Sequence, residues 1–390
     1  MKKSGLIGMS IFLAVVFSLA GMAWSEVGVT DTEIKVGTHM ALTGPAAVVG
    51  RPISDGLKMY LDYINSKGGI SGRKFVWIAE DDGFLPSRAK EAAKKLINKD
   101  KVFSILAPLQ GGGILAAMPD ILAAKIPLPF VMSAVDELFT PTNRYVFGWI
   151  VPYHISSAIQ VDWGVKLGAK KFCFFLQFGP VGDTNIVGAK QQLKKYGLKL
   201  EMAEKLKNIK MDYSGLIAKA RNQGIDCVVI ATTAQWSVPI LKEIQRQGWK
   251  PTIILGHGSG NPPLLKALAG TAADGAYVTM NHVPTDHEGA YMSTYRKITQ
   301  EYGGGAKPNM YHFVGYAISK MFGEAVKQVG RDLTREKFID NLETWKNYDT
   351  GWIGKISYSP TDHIGAETMV PVRMVGGKGK VLGPRMAPKQ

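Results

Sequence analysis

The chain alternates, with little interruption, between short apolar runs and segments of helix length, and this rhythm limits the fold more than any other feature. Residues 34–42 read as a buried strand. Residues 52–66 follow as a helix, because Ile53, Leu57, Tyr60, Leu61 and Ile64 share one stripe at helical spacing, and Gly68-Gly69 ends it. Strands at 75–79, 102–107 and 129–133 then alternate with helices at 87–98 and 114–124. A second cycle opens with a helix at 156–167 and continues through strands at 171–177, 199–206, 226–232, 252–256 and 275–280, with helices between them. Such alternation with short connections predicts parallel sheets covered by helices on both faces, joined by right-handed crossovers. After Thr285 three helical stretches, 288–302, 311–329 and 335–342, precede late strands near 355–358 and 368–374. Strands this late imply that the chain returns to complete an earlier lobe.

Ahead of the first strand lies an address. Lys2 and Lys3 supply a positive start, residues 6–20 an apolar run, and Ala23-Trp24-Ser25 a small-x-small cleavage site, so residues 1–25 are read as a signal peptide. The apolar run is shorter than the roughly 20 residues of a membrane span. No Cys stands near the cleavage site to carry a lipid. The remaining chain is long enough for two domains. Its net charge of +15, counted over the whole sequence, comes from Lys scattered along helices, such as Lys90, Lys94, Lys95 and Lys99. No dense basic run is interleaved with aromatics, so nucleic-acid binding is not expected. Cys173 and Cys227 both fall inside strand-like runs and are expected to be buried thiols, with a bridge as the alternative.

Catalytic signatures are missing. The glycine-rich run 256–260 is not a nucleophile elbow, because His257 and Asn261 flank Ser259 where glycines are needed. Gly111, Gly112 and Gly113 lack the third-glycine spacing of a dinucleotide fingerprint. The positive signal is a set of loops at the carboxyl ends of the expected strands, where open parallel sheets bind ligands. These are 43–47, 110–113, 133–134, 177–183, 232–236 and 256–261. The 110–113 loop opens a helix directly after a strand. Its glycines let backbone N–H groups face a ligand, and the helix end favours a carboxylate. Among the nearby aromatics, Trp236 lies just past a strand end. Tyr153 and His154 lie where the first cycle passes into the second.

Several of these residues together resemble a known family. Leu42-Thr43-Gly44-Pro45, Gly50, the run Ile64-Asn65-x-x-Gly68-Gly69-Ile70-x-Gly72 and Asp81-Asp82 are similar to the opening of the periplasmic branched-chain amino-acid (leucine/isoleucine/valine) binding proteins. The likeness continues through Asp212-Tyr213-Ser214, Gly224-Ile225-Asp226 and Gly275-Ala276-Tyr277. The resemblance implies an α/β fold of the type I periplasmic-binding kind, with two Rossmann-like lobes joined by a three-crossing hinge. It implies crossings near 148–153, 280–284 and 356–359. Lobe 1 would then be 30–148 with 282–355, and lobe 2 would be 149–281 with 356–390. It further implies a periplasmic, monomeric, non-enzymatic protein without a cofactor. Such a protein binds a small molecule and delivers it to the permease and ATPase subunits of an ABC importer. A ligand sensor of the same fold, acting on a regulator or receptor, is the alternative.

The resemblance carries over to the site only in part. The relatives' Ser-rich carboxylate loop is here Gly111, Gly112 and Gly113, which leaves backbone donors alone. A further contact is implied from Ser133 and Ala134. The acidic residue that would meet a ligand ammonium is missing from the 256–261 loop, where His257 is the nearest polar side chain. An ammonium closed into a dry cleft without a counter-charge is costly. The expected ligand therefore bears a carboxylate or carbonyl on an apolar or aromatic body. Its polar end is assigned to His257, Arg51 and the Gly111, Gly112 and Gly113 amides. Its body is assigned to Trp236, Phe84 and Tyr153. His154, Asp183 and Thr233 are further candidates.

Overall fold

The computed structural model describes residues 26–306 and 309–390, so the expected signal peptide lies outside the described residues. The first sheet grows around β1 (Glu33–Met40), which runs parallel to β2 (Lys74–Asp81) on one side and β3 (Ser104–Ile105) on the other. Between them come α1 (Ala47–Ser66), α2 (Pro86–Lys95) and, after β3, α3 (Gly111–Ala123). α1 begins five residues before the expected start, so Pro52 sits inside the helix rather than opening it.

The fourth expected strand, 129–133, is not a full ladder. It survives as isolated bridges, Leu109 with Met132 and Leu128 with Val146. The cause is local: Pro127 and Pro129 have no N–H to give, and Phe130 is held at φ 59°. The carbonyls of both prolines still accept, from Ile105 at 3.0 Å and Ala107 at 3.1 Å, so the sheet continues in a broken form.

The second sheet is larger and runs β13-β12-β8-β7-β6-β4-β5. Its parallel centre consists of β4 (Phe172–Gln177), β5 (Leu200–Leu206), β6 (Cys227–Ala231), β7 (Thr252–Leu255) and β8 (Tyr277–Met280). Around it lie α4 (Tyr153–Lys166), α5 (Pro180–Lys195), α6 (Ser214–Asn222), α7 (Ala234–Arg246) and α8 (Pro262–Ala269). Two strands were not foreseen as antiparallel: β12 (Val370–Val375) pairs in reverse with β8, and β13 (Lys378–Val381) with β12. The register sets Cys227 beside Phe172 and Cys173 beside Val228. Because side chains alternate across a sheet, the two thiols point to opposite faces, and both are buried and free.

The helices α9 (Ala290–Tyr302), α10 (Met310–Val329) and α11 (Arg335–Glu343) return to the first lobe. α10 crosses α1 at close range. A Cβ on Gly56 would stand 2.0 Å from the His312 carbonyl oxygen, and one on Gly315 would stand 2.1 Å from that of Ile53. Glycine at both positions is what lets the two backbones touch.

The late strands require a correction. Residues 356–365 were assigned to the second lobe. Instead β10 (Lys355–Ser359) pairs with β9 (Tyr348–Asp349) and β11 (Asp362–Gly365), and His363 accepts from the Gly148 amide at 2.8 Å. Ile356 and Tyr358 belong to the same apolar core as β1 and α1. The chain therefore stays with the first lobe through Gly365 and joins the second sheet only at Val370. Segments 148–152, 281–284 and 366–369 connect the two bodies. No helix among the described residues is long and apolar enough to cross a membrane.

Candidate functional site

A cleft of about 390 Å³, part of it continuous with solvent, opens at the carboxyl ends of β4, β6 and β7. Its floor is made by strand tips and the residues just beyond them: Gln177, Ala231, Thr232 and Gly256. Its walls come from α4 through Tyr153, Ser156 and Gln160, from α5 through Val181 and Asn185, and from Thr233, His257 and Gly258. The three α4 residues recur at i, i+3 and i+7, so one face of that helix looks into the cleft.

The lining contains no Asp, Glu, Lys or Arg. What replaces formal charge is backbone. The helices α4, α5 and α7 all begin at the cleft, and none of their N-termini is capped by a side chain. Each such end presents unpaired N–H groups and a partial positive charge, which favours an anion.

His257 is the one titratable nitrogen base in the lining. Burial, reinforced by His282 nearby, lowers its pKa to about 4, so it is neutral at neutral pH. Its ring lies parallel to that of Tyr153, with centroids 5.8 Å apart and planes 8° from each other. Tyr153 is pushed to a higher pKa by burial, opposed by contacts of its hydroxyl with the Ala134 backbone and the Ser133 side chain. Through those contacts the cleft reaches the first lobe. The Gly111 loop follows directly, since a Cβ on Gly111 would stand 2.7 Å from the Ser133 hydroxyl.

A family model for periplasmic binding proteins matches residues 33–380. The chain belongs to the periplasmic binding protein family. Among curated relatives of this periplasmic binding protein is Leu/Ile/Val-binding protein homolog 7 of Brucella suis biovar 1 (strain 1330), 25% identical over 279 residues, which are 68% of each chain. Among solved structures, a branched chain amino acid ABC transporter protein of Thermus thermophilus with bound valine superposes with a TM-score of 0.82. It is 20% identical, and the match covers 92% of this chain and 97% of that one. A solute-binding protein of R. palustris in complex with benzoate superposes with a TM-score of 0.78 at 19% identity, over 91% of this chain and 98% of that one. At these identities the structural neighbours establish the fold of the periplasmic binding protein alone.

The candidates named from sequence separate into three groups. Tyr153, Thr233 and His257 line the cleft. Ser133, Ala134 and Gly111 form its continuation toward the first lobe, while Gly112 is exposed and Gly113 is buried against Ala89 and Gln110. The remaining five are not among the residues that line this cleft. Arg51 is exposed and donates from Nε to the Leu42 carbonyl. Phe84 packs on the first-lobe core and its carbonyl accepts from Gln110. His154 pairs with Asp136 at 2.9 Å, and Asp183 with Lys205 at 2.7 Å. Trp236 packs on the second-lobe core. In each case the side chain has a partner or packs on an apolar surface. Sequence reasoning missed Ser156, Gln160 and Asn185. The signal existed, because Ser156 and Gln160 are polar positions of α4 in register with Tyr153.

Proposed function

We propose that this chain is the extracytoplasmic solute-binding component of an ABC importer, exported to the periplasm, and that it captures a small carboxylate-bearing molecule with an apolar or aromatic body. The observation that carries the reading is the uncharged lining, with a neutral His257 at the loop where an acid would meet a ligand ammonium. A carboxylate gains from three uncapped helix N-termini. An ammonium finds no counter-charge there and loses its hydration on entry. The parallel Tyr153 and His257 rings offer a flat wall to an aromatic or branched body. The names of the relatives are consistent with a carboxylate as the shared chemistry, since valine and benzoate both carry one. Ligand bound between the lobes favours their closed arrangement, and that shape is what a membrane permease recognises. Isothermal titration calorimetry at pH 7.5 with benzoate and with leucine tests the reading. Benzoate-class acids bind and leucine binds at least tenfold more weakly. Tight leucine binding with no response to aromatic acids overturns it.

A further inference from the structure

The cleft wall includes a residue whose acceptor has nothing to accept. Gln160 lines the cleft and is 0% exposed. Its Nε2 donates to the Thr279 hydroxyl at 3.0 Å. That hydroxyl has one proton, and it points to the Leu255 carbonyl at 3.4 Å. In this arrangement the amide nitrogen faces Thr279, and its oxygen is left over. Gln160 Oε1 has no hydrogen-bond partner among the described residues. Turning the amide over would require Thr279 to give up Leu255. The amide stands where β6 and β7 end. A Cβ on Gly256 would lie 3.5 Å from Gln160 Nε2 and 3.2 Å from Ala231 Cα, so only the absence of a side chain at 256 keeps this corner open.

Buried polar atoms are almost always paired, and an orphan in a binding cleft asks what pairs with it. From Tyr153 to Gln160 the helix advances about 10 Å, the length of one ring bearing a polar group at each end. Ser156 lies on the same face between them.

We propose that Gln160 is a specificity-determining residue, and that the ligand carries a hydrogen-bond donor, a hydroxyl or an N–H, at the end opposite its carboxylate, which Gln160 Oε1 receives. This rests on the carboxylate reading above and narrows it: the ligand class becomes hydroxylated or amide-bearing organic acids rather than plain ones. A site built around an unpaired acceptor rejects the analogue lacking the donor far more strongly than an apolar pocket can discriminate by shape.

The test compares benzoate with 4-hydroxybenzoate by calorimetry on the exported chain and on Gln160→Met, a substitution of similar volume without an acceptor. On the unaltered protein 4-hydroxybenzoate binds at least about tenfold tighter. On Gln160→Met the difference falls below about threefold, and the ligand-free urea midpoint is unchanged or higher because an unpaired acceptor has been removed. Thr279→Val, which frees the amide to turn, is the second variant and also narrows the difference. Equal affinities on the unaltered protein, or a difference that survives in Gln160→Met, overturn the proposal and leave the carboxylate reading standing. If neither acid binds, both readings fall.

Discussion

Lowering the pH from 8 to 5 removes a large part of this protein's stability, and two histidines set the amount. His282 is 5% exposed and His312 1% exposed. Each has its pKa lowered by burial to about 4, against 6.5 for a free imidazole. The geometry explains why neither takes a second proton. The His282 ring lies buried among Phe313 and Trp352 and the Arg385 charge adds to the penalty, while the hydrogen bond from Nδ1 to the Val283 carbonyl at 2.7 Å offsets only part of it. His312 Nδ1 pairs with the Tyr295 hydroxyl at 2.9 Å, and its buried Nε2 has no partner among the described residues. Between pH 6.5 and about 4 the unfolded chain therefore binds protons that the folded chain refuses. Stability is full above 6.5, falls as pH drops through that window and stops falling on this account near 4. At pH 5 each residue contributes a loss of about 2 kcal/mol, so the pair gives about 4 kcal/mol. That is a substantial share of the roughly 5–15 kcal/mol that holds a protein folded. His257 is left out of the sum because it opens onto the cleft. Urea unfolding followed by tryptophan fluorescence at pH 8, 6.5 and 5 measures the effect, and His282→Asn cuts the difference between pH 8 and pH 5 to about half. Equal midpoints at pH 8 and 5, or an undiminished difference in the variant, refute the reasoning.

Three further outcomes are expected. Gly256→Val adds three carbons to the corner between Ala231 and Gln160, lowering ligand affinity by about tenfold or more in calorimetry while the fold persists, since even one extra methylene in a binding pocket has an effect of that size. Arg385→Ala loosens the hinge: the guanidinium, its pKa lowered by burial to about 10, donates to the Asn281 carbonyl at 2.8 Å and to the Thr368 hydroxyl at 2.9 Å, joining two of the connecting segments. Loss of these bonds costs about 2–4 kcal/mol and broadens the interlobe distance distribution seen with paired spin labels. An unchanged distribution contradicts that role. Cys173 and Cys227 do not react with a thiol reagent in the native protein, burial having pushed Cys173 up to about 12 and Cys227 further still, and both react in urea without a reductant. One silent pair after unfolding means a bridge.

The order of strands and helices, the cleft at strand tips and the family resemblance were all legible in the one-dimensional pattern, because each depends on periodicity, turn residues and short motifs within a few positions of one another. What failed was long-range or dependent on direction. The antiparallel pairing of β12 with β8 and the attachment of 356–365 to the first lobe are pairings with partners about 90 to 215 residues away. No local signal in either strand names its partner. Even a local rule was incomplete at 129–133, where the apolar run suggested a strand and the prolines beside it broke the ladder. Of the residues that line the cleft, sequence named Tyr153 from its place between the two cycles, and Thr233 and His257 through the family resemblance. It could not say that Arg51 turns back to Leu42, or that Asp183 is taken by Lys205, since a side chain's direction is settled by whichever partner the fold brings within reach. Gln160 shows the same division: the amide was always in the sequence, but only the packed Thr279 and Leu255 decide which of its two ends is left without a partner.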